Sequence, residues 1–169
     1  PPPEPLFACT VAEGEPVDQH VFLRGNPDSR GEIVPKAFPV ILAGENQPPI
    51  KRGSGRLQLA EWLASPDNPL PARVMVNRIW QGHFGEGIVR TANNFGIVGE
   101  RPSHPELLEW LAREFIGQGW SIKKMHRLIM LSSAYRMSSE ITPEKADKDA
   151  DNRLLSRFAM RRMNVEEIR

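Results

Sequence analysis

Apolar residues recur at helical spacing only in the later two-thirds of the chain. Leu57, Leu59, Ala60, Trp62 and Leu63 predict a short helix that stops before Ser65-Pro66-Asp67-Asn68-Pro69. A second helix is predicted from about Pro71 to His83, with proline suited to its first turn and Gly85 to its stop. Val76, Ile79, Trp80 and Phe84 form its core stripe. Ser103-His104-Pro105-Glu106 reads as a capping box opening a third helix, with Leu107, Leu108, Trp110, Leu111 and Phe115 as the apolar face and Gly117 and Gly119 closing it. Ser121 is the predicted cap of a fourth, whose buried face is Ile122, Met125, Leu128, Ile129 and Leu131. A fifth is expected within about Asp151 to Arg162, and Asn164-Val165-Glu166-Glu167 has the look of a further helix start.

The first 50 residues obey another rule. Ten of the 16 prolines lie in the first 49 residues, and proline fixes φ and removes a backbone donor, so helix is disfavoured there. Phe7 to Ala12 and His20 to Arg24 read as short strands, and Gly31-Glu32-Ile33-Val34 as a third after the turn Gly25-Asn26-Pro27-Asp28. Pro1-Pro2-Pro3-Glu4-Pro5 reads as polyproline II linker. The predicted class is α+β, a bundle of about five helices with a small antiparallel β arm. The arm is placed at 1–50, packing on a helical body at 51–169. Because the last helix start is succeeded by barely one turn, the sequence is read as a segment of something longer.

Composition narrows the function classes. A chain of 169 residues, 40% hydrophobic and 25% charged, suffices for a modest core and argues against wholesale disorder. No apolar run approaches the roughly 20 residues of a membrane helix. The single cysteine, Cys9, rules out an internal disulfide framework. Net charge is +1, but residues 1–50 carry 3 basic and 7 acidic side chains while 121–169 carry 11 and 7. That balance does not favour nucleic acid.

The chemistry-bearing residues are few. His20, His83, His104 and His126 are the imidazoles, with no pair at i,i+4 and no HExxH, so no zinc helix is predicted. Asp147, Asp149 and Asp151 alternate like the start of a calcium loop, but Asn152 and Phe158 stand where Gly and Glu belong. They read as an acidic turn, with Asp149 or Asp151 capping the fifth helix. Arg153, Arg157 and Arg161 at i, i+4 and i+8 read as a solvated or ion-paired helix face. The unusual stretch is the second helix. Arg73, Asn77 and Arg78 sit beside its core stripe, and buried Arg or Asn demands hydrogen bonds. The connection after this helix, about 18 residues to Pro102, is long for a compact domain, and such loops are functional or tightly packed. Arg73, Asn77, His83, Arg90, Asn93, Asn94 and His104 are therefore the candidate binding residues, expected in one cleft beneath that loop. No nucleophile–base pair, acid pair or phosphate loop stands out.

A resemblance rests on particular strings. Arg56-Leu-Gln-Leu-Ala-Glu-Trp-Leu-Ala-Ser-Pro-Asp-Asn-Pro-Leu-Pro-Ala-Arg-Val-Met-Val-Asn-Arg-Ile-Trp80, His83-Phe-Gly, Asn94-Phe-Gly, Pro102-Ser-His-Pro-Glu-Leu-Leu-Glu-Trp-Leu111, Gly119-Trp-Ser and Ser133-Ala-Tyr-Arg136 together resemble the planctomycete secreted domain one family, a domain of unknown function (1553), from about His20 onward. The family's Asn152-Arg-Leu-Leu and Arg161-Arg162 features are present too, while Asn94 stands where relatives often carry Asp. The resemblance implies the C-terminal part of an exported (periplasmic or extracellular) multidomain bacterial protein with an upstream cytochrome-c-like segment. No CxxCH occurs here, so a haem c would belong to that upstream segment and no cofactor is expected in this one. The family supplies no catalytic residues to carry over.

The leading functional expectation is a non-catalytic interaction or scaffolding module, engaging other domains of its polypeptide and an extracellular polysaccharide or protein through loop 85–103 and the Arg73/Asn77 network. A second is an enzyme domain acting on extracellular glycans, with His83, His104 and Glu106 as acid–base groups. A third is an electron-transfer partner of an upstream haem.

Overall fold

A computed structural model describes residues 9–14, 16–50 and 53–169. The polyproline stretch at 1–5 and the first two residues of the strand expected at Phe7–Ala12 lie outside the described residues, and Cys9–Ala12 is not a strand. The chain divides into two compact units, residues 1–68 and 69–169.

In the first unit, β1 (Gln19–Phe22) pairs antiparallel with β2 (Arg30–Val34), matching Gln19 to Val34 and His20 to Ile33 before the register slips ahead of Phe22 and Arg30. The two strands are joined through a 3₁₀ turn at Leu23–Gly25, where Arg24 takes a φ of 55°. His20 Nδ1 lies 2.8 Å from the Gly31 carbonyl and ties the ribbon across the slip. A single turn, α1 (Val40–Ala43), and the helix α2 (Arg56–Leu63) complete the unit. Phe38 stacks on Trp62 with centroids 4.7 Å apart. Glu13 accepts from the Ser54 amide (2.8 Å) and hydroxyl (2.9 Å) and from Arg56 (3.2 Å).

The second unit holds the core. It contains α3 (Pro69–Phe84), α4 (Pro105–Gly117), α5 (Ile122–Met130), α6 (Pro143–Lys148) and the terminal turn α7 (Val165–Ile168). Among the described residues, every buried apolar side chain lies between Ala72 and Ile129. α3 packs against α4 and α5, burying Val76, Ile79, Trp80 and Phe84 as its periodicity requires. α4 adds Leu108, Leu111, Ala112 and Phe115, and α5 adds Met125 and Ile129. The Ser121 hydroxyl caps α5 by accepting from the Lys124 amide. The architecture is α+β, helices with a two-stranded antiparallel sheet near the N-terminus. No helix among the described residues is long and apolar enough to cross a membrane.

Four local expectations are corrected. The Ser103–Glu106 box does not close: the Ser103 hydroxyl donates to the Ile88 carbonyl at 3.2 Å, and α4 starts after His104 without a side-chain cap. Pairing with the preceding loop outcompetes capping. Trp110 is 48% exposed, Ile122 47% and Leu131 61%, so the apolar faces of α4 and α5 are wider than their buried stripes. The fifth helix expected within 151–162 is absent, and the stretch is a series of turns. Here Asp149, 6% exposed, accepts from the Leu154 amide (3.1 Å) and the Ser156 amide (3.3 Å). The Asn152 side chain accepts from the Arg157 amide (3.2 Å) and donates to its carbonyl (3.0 Å). Asn152 and Leu155 hold φ of 52° and 56°, the left-handed values that break a helix. Side-chain hydrogen bonds to backbone have displaced the helical ladder. Arg153, Arg157 and Arg161 thus form no helix face. A short helix the periodicity did not announce, α6, precedes this turn region, with the Thr142 hydroxyl accepting from the Lys145 amide.

Candidate functional site

The connection from α3 to α4 is an ordered structure, and Asn77 is its anchor. Set within the buried stripe of α3, beside Val76, Ile79 and Trp80 in the sequence, this carboxamide is 0% exposed. Its Oδ1 accepts from the Val89 amide at 2.8 Å, and its Nδ2 donates to the Val89 carbonyl at 3.0 Å. One side chain therefore satisfies both backbone groups of a buried loop residue, which lets Ile88 and Val89, each 2% exposed, join the core. Gly87 is required by this approach: a Cβ there would meet the Val89 carbonyl at 2.5 Å and the Asn77 amide at 2.6 Å.

Further along, Arg78 donates to Asn93 Oδ1 at 2.7 Å. The Thr91 hydroxyl donates to the Asn94 carbonyl and accepts from the Glu100 amide, both at 2.9 Å. Asn94 Oδ1 accepts from the Gly96 amide at 2.9 Å, closing an Asx turn. A Cβ at Gly99 would collide with the Asn94 carbonyl, so only glycine fits the return. Ser103 completes the fastening through its amide, 2.9 Å from the Ile88 carbonyl. The tip residues Ile97 and Val98 are 104% and 86% exposed. The loop is tightly packed at its base and bare at its tip.

Arg73 acts elsewhere than expected. Its Nε donates to Glu109 Oε2 at 3.0 Å, its Nη2 donates to the same oxygen and its Nη1 to the Pro69 carbonyl. Glu109 Oε1 accepts from Arg113 Nε at 3.0 Å. Arg73 therefore ties α3 to α4 rather than to the loop backbone. The hydrogen bond from Arg73 is the main reason the Glu109 carboxyl sits below the usual carboxylate range; partial burial opposes it, and Arg113 adds to it. Beside this ion pair opens a groove of about 710 Å³, walled by Val89, Phe95 and Glu100 of the loop and by Glu106, Glu109 and Trp110 of α4.

The seven predicted residues do not share one cleft. Arg73 lines the groove, and Asn77 lies beneath the loop that walls it. Asn93 and Asn94 are internal struts of the loop. Arg90 pairs with Glu86 at 2.7 Å, donates to the Asp151 carbonyl at 2.9 Å, and lines a separate cleft of about 410 Å³ with Arg153, Arg157 and Arg161. His104 Nδ1 rests 3.0 Å from the Ser103 hydroxyl. His83 pairs with His126 of α5, Nε2 to Nδ1 at 2.7 Å, with Tyr135 edge-on at 5.4 Å. Burial, then His126 and Arg161, hold His83 below its ordinary value. Sequence reasoning missed Glu109 and His126. The Glu109–Arg113 spacing was a visible i,i+4 pair, whereas nothing in the chain marked His126 as a partner. Among the described residues, no three His, Cys, Asp or Glu side chains gather where they would hold a metal ion.

Asn77 and the groove residues Arg73, Phe95, Glu106, Glu109 and Trp110 fall within the strings that first suggested a family, while Gly87, Val89 and Glu100 lie between them. No curated protein and no solved structure matches this chain. A family profile does, over residues 55–169, which takes in α2 and the whole second unit. The chain belongs to the PSD1 family, described as a protein of unknown function (DUF1553).

Proposed function

We propose that this chain is a non-catalytic binding module of an exported, multidomain bacterial protein, and that its ligand is an extracellular polysaccharide held in the groove beside loop 85–103. The observation that carries the reading is the composition of that groove. Trp110 offers a half-exposed aromatic face next to a hydrogen-bonded Arg73–Glu109–Arg113 array, with Glu100 and Glu106 at the edges. A sugar ring presents an apolar face for stacking and a rim of hydroxyls for charged donors and acceptors, and this surface offers both. A wall fixed by Asn77 and Gly87 lowers the ordering cost of binding.

The enzyme reading has less behind it. His83 is engaged with His126 and His104 with Ser103, while Glu106 borders the groove, so the three acid–base candidates meet no common point. The polypeptide context, including an upstream cytochrome-c-like segment, belongs to the same proposal and rests on family resemblance.

Titration calorimetry of the chain against soluble oligosaccharides, neutral and uronate-containing, tests the reading. Saturable binding of at least one class is expected, weakened tenfold or more in Trp110→Ala and in Arg73→Gln. Absence of binding across the panel at millimolar sugar, or equal affinity in both variants, rejects it.

A further inference from the structure

Between α4 and α5 lies a second concave site, about 630 Å³, distinct in chemistry from the groove. Leu107 and Leu111 of α4, Leu128 and Ile129 of α5, and Leu131 beyond it make its walls apolar. Volumes of about 300–1,000 Å³ with apolar walls and a few convergent polar groups are the usual form of a small-molecule site. The polar groups here have one sign. Lys124 and Arg127 line the site, and no carboxylate does. Arg127 has no ion pair among the described residues, and Lys124 Nζ makes only a 3.5 Å contact to the Gln118 carbonyl.

A second, independent observation comes from Gln118, which also lines the site. Its Nε2 donates to Glu114 at 3.1 Å, but its Oε1 is buried with no hydrogen-bond partner among the described residues. A buried acceptor left without a donor costs about 1–3 kcal/mol, so a wall containing one is incomplete by itself. Exposed apolar surface continues outward through Leu131, at 61%, and Trp110, at 48%. Single exposed apolar residues are ordinary, whereas a contiguous concave set marks a place for a ligand.

The geometry points to a binding site for a small, soluble amphiphilic anion: an apolar body filling the space between α4 and α5, an anionic head against Lys124 and Arg127, and an N–H or O–H donor for Gln118 Oε1. This site would operate whether or not the groove beside loop 85–103 takes sugar. Charge complementarity selects the head, since Lys124 and Arg127 line the site and no carboxylate does, which favours an anion over a cation. The orphan acceptor selects a body carrying a donor over a plain hydrocarbon.

The probe is 8-anilinonaphthalene-1-sulfonate, which combines an apolar body, a sulfonate and an N–H; N-phenyl-1-naphthylamine, which lacks the sulfonate, is the neutral control. Fluorescence titration of the chain is expected to show one saturable sulfonate site that 10-hydroxydecanoate, an anion whose apolar body carries an O–H, displaces. Arg127→Glu changes an exposed residue and should keep the native circular dichroism spectrum; it is expected to weaken the sulfonate probe tenfold or more and the neutral probe less than twofold. Leu131→Trp, at a tolerant exposed position, is expected to weaken both by occupying the site. Gln118→Leu should raise the midpoint of thermal unfolding while weakening both N–H-bearing probes. Unsaturable fluorescence, failure of 10-hydroxydecanoate to compete, or equal loss of both probes in Arg127→Glu overturns the assignment.

Discussion

Two carboxamides perform the same task in the two halves of this chain, and they do it in different surroundings. In the first unit, Gln47 accepts from the Phe38 amide at 2.8 Å and donates to the Phe38 carbonyl at 2.9 Å. In the second, Asn77 treats Val89 in the same way, at 2.8 and 3.0 Å. Gln47 is only partly buried, on a stretch with no fully buried apolar side chain among the described residues. Asn77 is sealed among Val76, Ile79 and Trp80. In one case water can replace the side chain if it is lost; in the other it cannot. The same hydrogen-bond pattern is a convenience in the first setting and a requirement in the second, because desolvation sets what an unmade bond costs.

Substitutions put that contrast to the test. The largest effect is expected from Phe115→Ala, at 2% exposure in the core that Asn77 seals, with a loss of about 3–5 kcal/mol in urea unfolding. Next comes Asn77→Ala, which strands a buried amide and a buried carbonyl and should cost about 2–4 kcal/mol. In the same protein the Val89 amide should exchange with solvent deuterium far more slowly than the Phe38 amide, and comparable rates would refute the contrast. Gln47→Ala should cost no more than about 1 kcal/mol, since water reaches both orphaned groups.

The smallest effect concerns Glu109. Its pKa is lowered in the fold, so the unfolded chain binds its proton more readily. The stability it contributes is fully present above its ordinary value of 4.5 and is lost as pH falls through the lower folded value. With side chains 33% and 35% exposed, the Arg73–Glu109 pair is worth less than about 1 kcal/mol. Stability curves of wild type and Glu109→Gln between pH 7 and pH 3 should converge at the acid end, and parallel curves would contradict the assignment.

Helices with strong apolar stripes were legible from the chain. Val76, Ile79, Trp80 and Phe84 at a 3.6-residue period admit one buried face, and α3 buries all four. The strand pair was legible from turn chemistry, since Gly25-Asn26-Pro27-Asp28 can only reverse the chain between two β-prone stretches. The turn region 149–162 was not legible. Its arginines repeat at helical spacing, but Asp149 and Asn152 capture nearby backbone groups, and that competition depends on a pocket that exists only once the core has formed. The candidate site was half legible. A buried Asn on an apolar helix announced a backbone clamp, yet Arg73 chose Glu109, a residue 36 positions away, over the loop.

The order of residues was thus enough to mark the main helices, the connection held by a buried amide, and the strings of the family, because periodicity, turn chemistry and the cost of burying polar groups are local properties. Packing settled which partner each charged side chain takes, that Trp110 and Leu131 remain open to solvent, and that a cationic apolar pocket forms between α4 and α5. Those outcomes depend on the distance and solvent access between residues far apart in the chain, and neither quantity exists until the helices have come together.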